Sequence, residues 1–147
     1  MAKKKKSDAR DSRQYAAIPI RLRKDGKAEI LLLTSRGKGR WGIPKGWPMP
    51  ERSPQGTARR EAYEEAGLKG RVIRRGAIGR YRYSKTAIGE ITVKVFVMQV
   101  ERQLRTWPEK PERKTRWFKP DEAAARIADR RLGRMLRKAA KLASAAA

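Results

Sequence analysis

Three glutamates, Glu61, Glu64 and Glu65, fall within five positions of a segment bounded by Ser53-Pro54 and Gly67. Ser followed by Pro reads as an N-cap and first-turn residue and Gly as the residue that stops a helix, which predicts a helix over about residues 54–66. At about 100° per residue the three carboxylates share one face about 100° wide. Like charges at i,i+3 and i,i+4 destabilise a helix by ~0.2–0.5 kcal/mol per pair. Something should offset that repulsion, because only ten acidic residues occupy positions 15–118 and three of them crowd this face. A divalent cation would do so, since Mg2+ takes one or two carboxylates together with water and phosphate oxygens. The plainer alternative is a solvated acidic face neutralised by the abundant Lys and Arg.

The rest of the composition narrows the chemistry. The 147 residues contain no cysteine and no histidine, which removes disulfides, zinc clusters, thiol nucleophiles and imidazole acid/base catalysis together. No apolar run approaches the ~20 residues of a membrane span, and the charged amino terminus lacks the apolar stretch of a signal peptide. The expectation is a cytoplasmic protein without a membrane partner. Net charge is +24. Residues 1–14 hold six Lys/Arg against Asp8 and Asp11 without periodicity and read as a disordered basic tail, whereas residues 15–118 hold 25 Lys/Arg against ten Asp/Glu. The body itself is therefore basic and draws polyanions, with a phosphorylated small molecule as one candidate partner and nucleic acid on the basic surface as another. The Lys3–Lys6 run alone reads as a solubilising feature.

One domain is expected over residues 15–142, with 143–147 frayed. Tyr15–Arg23 and Glu29–Ser35 read as a hairpin around Asp25-Gly26. Residues 36–50 form a loop too rich in Pro and Gly for regular structure. Further strands are expected at Val72–Tyr83, Glu90–Val100 and Thr115–Phe118. A helix follows from Pro120 to about Leu142, with a break near Asp129–Gly133. Within the basic glycine loop, Ser35, Arg36, Arg40 and Lys45 are candidate phosphate grips, because glycine lets backbone approach an anion and guanidinium binds phosphate through two donors. Arg21, Arg23 and Lys94 could enlarge that pocket. Trp41, Trp47, Tyr81 and Tyr83 are candidates either for stacking on a base or for the core.

From Gly46 onward the sequence runs Gly46-x5-Arg52-x7-Arg60-Glu61-Ala62-x-Glu64-Glu65-x-Gly67-Leu68. This strongly resembles the Nudix box, Gly-x5-Glu-x7-Arg-Glu-apolar-x-Glu-Glu-x-Gly-apolar. The run Ser35-Arg36 to Arg40-Trp41 to Pro44-Lys45-Gly46 is most similar to the diphosphoinositol-polyphosphate and diadenosine-polyphosphate branch. One position departs: Arg52 stands where the pattern has its first glutamate, which in the family pairs with the arginine found here at Arg60. Two arginines would face each other unless Glu51 reaches in or the loop shifts.

The resemblance implies an α+β fold, an α/β/α sandwich whose mixed sheet is flanked by the box helix and a C-terminal helix. It implies Mg2+, with Mn2+ as a substitute, and hydrolysis of a nucleoside-diphosphate-linked or related pyrophosphate substrate. By position it gives Glu64 and Glu65 to the metal, helped by the backbone carbonyl of Lys45, and Glu61 to the metal or to the attacking water. Gly46, Arg60 and Gly67 are box residues that shape the site, Gly46 also lying beside the substrate. A further glutamate from the loop before the last strand is expected, with Glu112 and Glu109 as candidates that could equally be ordinary loop charges. Monomer and homodimer both remain open, and the rival reading is an RNA- or polyanion-binding protein on the same scaffold with weakened catalysis.

Overall fold

The computed structural model describes residues 12–146. In chain order the elements are β1 (Arg13–Leu22), β2 (Ala28–Thr34), β3 (Trp41–Gly42), β4 (Lys45–Gly46), α1 (Pro54–Ala66), β5 (Leu68–Val72), β6 (Gly79–Lys85), β7 (Gly89–Gln103), a 3-10 turn (Lys110–Glu112), β8 (Thr115–Phe118), α2 (Pro120–Arg126) and α3 (Arg130–Ala146). One mixed sheet runs β3-β2-β1-β7-β5, with β4 on β1, β6 on β7 and β8 on β2. The β1–β7 pair is parallel and the other pairings are antiparallel.

Alternation along the central strands assigns the two layers of the core. Ala16, Ile18 and Ile20 of β1 and Val93, Val95 and Val97 of β7 pack with Leu132, Leu136, Ala139 and Ala143 of α3. Ala17 of β1 and Phe96 and Met98 of β7 pack with Ala58, Ala62 and Ala66 of α1. A strand covered on both faces must be apolar at consecutive positions, as β1 is at residues 16–20. The result is the expected α+β sandwich. Among the described residues no helix is long and apolar enough to cross a membrane.

Several boundaries differ from expectation. Residues 1–11 of the expected tail lie outside the described residues, but Arg13 and Gln14 belong to β1, and Gln14 is buried. The single strand expected at 72–83 is two strands, β5 and β6. The fifteen-residue β7 pairs with β5 along residues 98–103 and with β6 along residues 89–95, so the chain turns across its middle through Ile73 N–H to Val97 O and Ile78 N–H to Val95 O. Part of the loop at 36–50 is regular after all, because β3 pairs with Leu33 and Thr34 and β4 with Tyr15 and Ala16. The terminal helices part at residues 127–129, where the Asp129 carboxylate accepts from Leu132 N–H at 2.9 Å. Fraying from residue 143 does not occur in the described part: α3 continues to Ala146 because Ala143 is fully packed.

Candidate active site

The sequence signals around α1 act as read. Ser53 accepts a hydrogen bond from Gly56 N–H at 3.0 Å, and Gly67 adopts φ 69°, sending its N–H to the Ala62 and Tyr63 carbonyls. A left-handed residue favours glycine, and the Trp107 ring lies where a side chain at Gly67 would go. The remaining carbonyls at this end are filled from a distant segment. Glu64 O accepts from Glu109 N–H at 2.9 Å and Gly67 O from Leu104 N–H at 2.8 Å. Glu65 O accepts from the Trp107 indole at 3.2 Å and Ala66 O from the Gln103 amide at 3.0 Å. By closing the end of α1, this segment delivers Glu109 to the carboxylate face.

Glu65 is 5% exposed, and its carboxyl hydrogen-bonds with that of Glu61. Burial, then that hydrogen bond, push Glu65 up to about 9, and burial also raises Glu61. Glu61 lies directly against Gly46, whose position leaves no room for a β-carbon. Arg113, 11% exposed at the side chain, donates to Glu109 at 2.9 Å and lies 3.9 Å from Glu65. It also donates to Thr34 O at 3.2 Å. Glu64 is drawn aside by Arg60 at 2.6 Å, and among the described residues no three acidic groups converge on one point as a metal nest. The donor set nevertheless suits a hard cation: the buried Glu65 carboxyl and the half-buried Glu61 carboxyl beside it offer oxygen ligands to a divalent ion that would relieve their mutual repulsion.

The other expected site residues separate into groups. Glu109 joins the cluster, whereas Glu112 turns outward and accepts from Arg36 at 2.8 Å. Arg40 N–H donates to Ser35 Oγ at 3.0 Å, so Ser35 closes the glycine loop on itself. Lys45 sits on β4 with its ammonium 5.1 Å from the Tyr83 ring centre, and burial lowers its pKa against the pull of Glu65 and Glu61. Arg60 pairs within its own helix, and Glu51 forms no ion pair with it among the described residues. Arg52 is exposed and follows Glu51, which takes φ 68°. Arg21 leaves the pocket to pair with Glu29 at 2.8 Å and to stack on Trp117. Of the aromatics, Trp41 packs edge-on against Phe118 and Tyr81 is core, while Trp47 is 36% exposed.

Arg113, Trp107 and Gln14 are site residues that the sequence alone does not single out, and Gln14 accepts a 2.7 Å hydrogen bond from the hydroxyl of the expected aromatic Tyr83 beside Lys45. Only the spacing of Glu109 and Arg113, four apart, hinted at the pairing.

The family description "NUDIX domain" matches residues 12–139. The chain belongs to the Nudix family. Over 105 residues it is 36% identical to the Mus musculus diphosphoinositol polyphosphate phosphohydrolase 3-alpha, a match covering 69% of this chain and 62% of that relative. It is 33% identical over 117 residues to the Rattus norvegicus diphosphoinositol polyphosphate phosphohydrolase 2, covering 78% and 63%. The chain thus spans a little under two thirds of the length of these relatives. A C. elegans Ap4A hydrolase binary complex shares the Nudix fold at TM-score 0.72 and 21% identity, covering 90% of this chain and 98% of that one.

Proposed function

We propose that this Nudix domain is a divalent-metal-dependent pyrophosphohydrolase that cleaves a phosphoanhydride bond in a dinucleoside polyphosphate or diphosphoinositol polyphosphate. The observation that carries the reading is the buried Glu65 set against the half-buried Glu61, closed in by Gly46 and neighboured by Glu64, Glu109 and Arg113. A polyanion-binding surface gains nothing from carboxylates gathered in its basic cleft. Similarity to relatives named for polyphosphate substrates supports the same class.

Glu64, Glu65 and the Lys45 backbone carbonyl are the groups to hold Mg2+, with Mn2+ as a substitute. When bound, the ion supplies charge neutralisation on phosphate oxygens and a more acidic water. Glu61, held by contact with Gly46, orients the attacking water and takes its proton, with Glu109 as the other base within the cluster. Arg113 fixes Glu65 and Glu109 and neutralises part of their charge. Arg36, Arg40 and Lys45 grip the phosphate chain, while Ser35 shapes the loop that presents them. The reading places the reaction in the cytoplasm.

The experiment is a panel of dinucleoside polyphosphates, diphosphoinositol polyphosphates, nucleotide sugars and capped RNA ends, assayed for hydrolysis with Mg2+, with Mn2+ and with EDTA. Metal-dependent cleavage favouring the multiply phosphorylated members is expected. Absence of turnover on all of them, or turnover undiminished by EDTA, overturns the reading.

A further inference from the structure

The outer face of α3 has a chemistry that the carboxylate site does not use. Arg130, Arg131, Arg134, Arg137, Lys138 and Lys141 are all exposed, and Leu132, Met135, Leu136, Ala139, Ala140 and Ala143 are all buried. At about 100° per residue the six cations fall within an arc about 120° wide and along about 16 Å of axis. No acidic residue lies on α3 itself. Among the described residues, only Arg137 of the six has an ion-pair partner, the exposed Asp121 at 3.0 Å.

At one end the stripe meets a cavity of about 380 Å³, lined by Arg82 of β6 with Asp129, Arg130, Arg131 and Arg134. Asp129 is engaged in capping α3 through Leu132 N–H at 2.9 Å. The four guanidinium groups have no carboxylate partner among the described residues. Apart from the Arg137–Asp121 pair, repulsion at i,i+3 and i,i+4 along this face has no acidic partner among the described residues, whereas Arg36, Arg60 and Arg113 of the cleft each face a glutamate.

We infer that α3 and the Arg82 cavity form a docking track for the phosphate backbone of a nucleic acid, separate from the carboxylate cleft. Charge complementarity and length choose this occupant. A line of cations about 16 Å long ending in a guanidinium-lined cavity matches a chain of phosphates better than one compact substrate. Arginine forks suit phosphate oxygens. Such a track binds without regard to base sequence, because its side chains meet phosphates. The inference stands apart from the proposed hydrolysis.

The test compares two variants of the full chain, each lacking four charges. Arg130→Gln/Arg134→Gln/Lys138→Gln/Lys141→Gln removes the track. Arg71→Gln/Arg74→Gln/Arg75→Gln/Arg105→Gln removes arginines elsewhere on the surface. The readouts are circular dichroism, binding of a fluorescein-labelled 20-nucleotide RNA across a salt series, and kcat/KM on a pyrophosphate substrate that the parent cleaves. With helix content retained, the track variant should bind RNA at least about tenfold more weakly, with a log–log salt slope shallower by about 3, and the control variant should change the slope by less than about 1. Equal losses in the two variants would show that diffuse charge does the binding and would overturn the inference. So would unchanged RNA binding in a track variant whose kcat/KM has fallen, since the cavity would then belong to the substrate cleft.

Discussion

Gly46 and Glu61 occupy adjoining space with nothing between them: a β-carbon on Gly46 would overlap the Glu61 carboxyl group. Gly46→Ala therefore displaces the Glu61 carboxyl, and its contact with Glu65, without removing any side chain of the site. Displacement of a reacting group by about 1 Å can cost ~10²-fold in rate. We expect kcat to fall by about that factor with the fold retained, measured by steady-state hydrolysis beside thermal unfolding. A Gly46→Ala variant with the parent's kcat would remove Glu61 from the reaction.

Glu64→Gln and Glu65→Gln keep size and remove a ligand charge. Each should lower kcat by ~10²–10⁴, and isothermal titration should show weaker Mg2+ binding. Undiminished turnover in both variants would refute their assignment to the metal.

Arg113→Met leaves Glu65 and Glu109 without their shared cation in a largely buried position. Removing one partner of a buried ion pair costs about 3–5 kcal/mol, and urea unfolding of the metal-free protein should show a loss toward the lower end. A change below about 1 kcal/mol would mean that Arg113 carries no part of the local charge balance.

Glu65 has a folded-state pKa of about 9 against an ordinary 4.5. A raised folded-state value stabilises the fold fully below the unfolded value, and the contribution is lost as pH rises toward the folded one. The Tm of the EDTA-treated protein should thus fall between about pH 5 and 9, and the increment in Tm from saturating Mg2+ should grow over the same window. A flat Tm in EDTA across that range would show that Glu65 is ionised throughout.

The basic loop that holds Arg36 and Arg40 predicts a preference for longer phosphate chains. Arg40→Ala should raise KM for a dinucleoside pentaphosphate more than for a nucleotide sugar, and added salt should do the same. Equal effects on long and short substrates would assign Arg40 to the loop's shape alone.

What the sequence shows of this molecule is what local chemistry controls. Ser53, Pro54 and Gly67 mark α1 to the residue because caps and left-handed stops act within a few positions. The one-face placement of Glu61, Glu64 and Glu65 is likewise a matter of helical spacing. The separation of Glu109 from Glu112 is not legible, since both lie in one short loop and it rests on distant partners: Glu64 O and Arg113 hold Glu109, and Arg36 draws Glu112 outward. The partner of Arg60 is not legible from the box pattern either: Glu64, one turn along the same helix, takes the place of the missing first glutamate at 2.6 Å. The division of residues 68–85 into two strands depends on the length of β7, a partner no local pattern reveals.

The end of α1 is completed by residues some forty positions later in the chain, through Gln103, Leu104, Trp107 and Glu109. Closure of so large a loop has an entropic cost that only the assembled sheet repays. Glu109 and Arg113 thus join the helix carboxylates only where the segment after β7 packs against the end of α1, so the outer half of the site belongs to the tertiary fold and the inner half to a single helix.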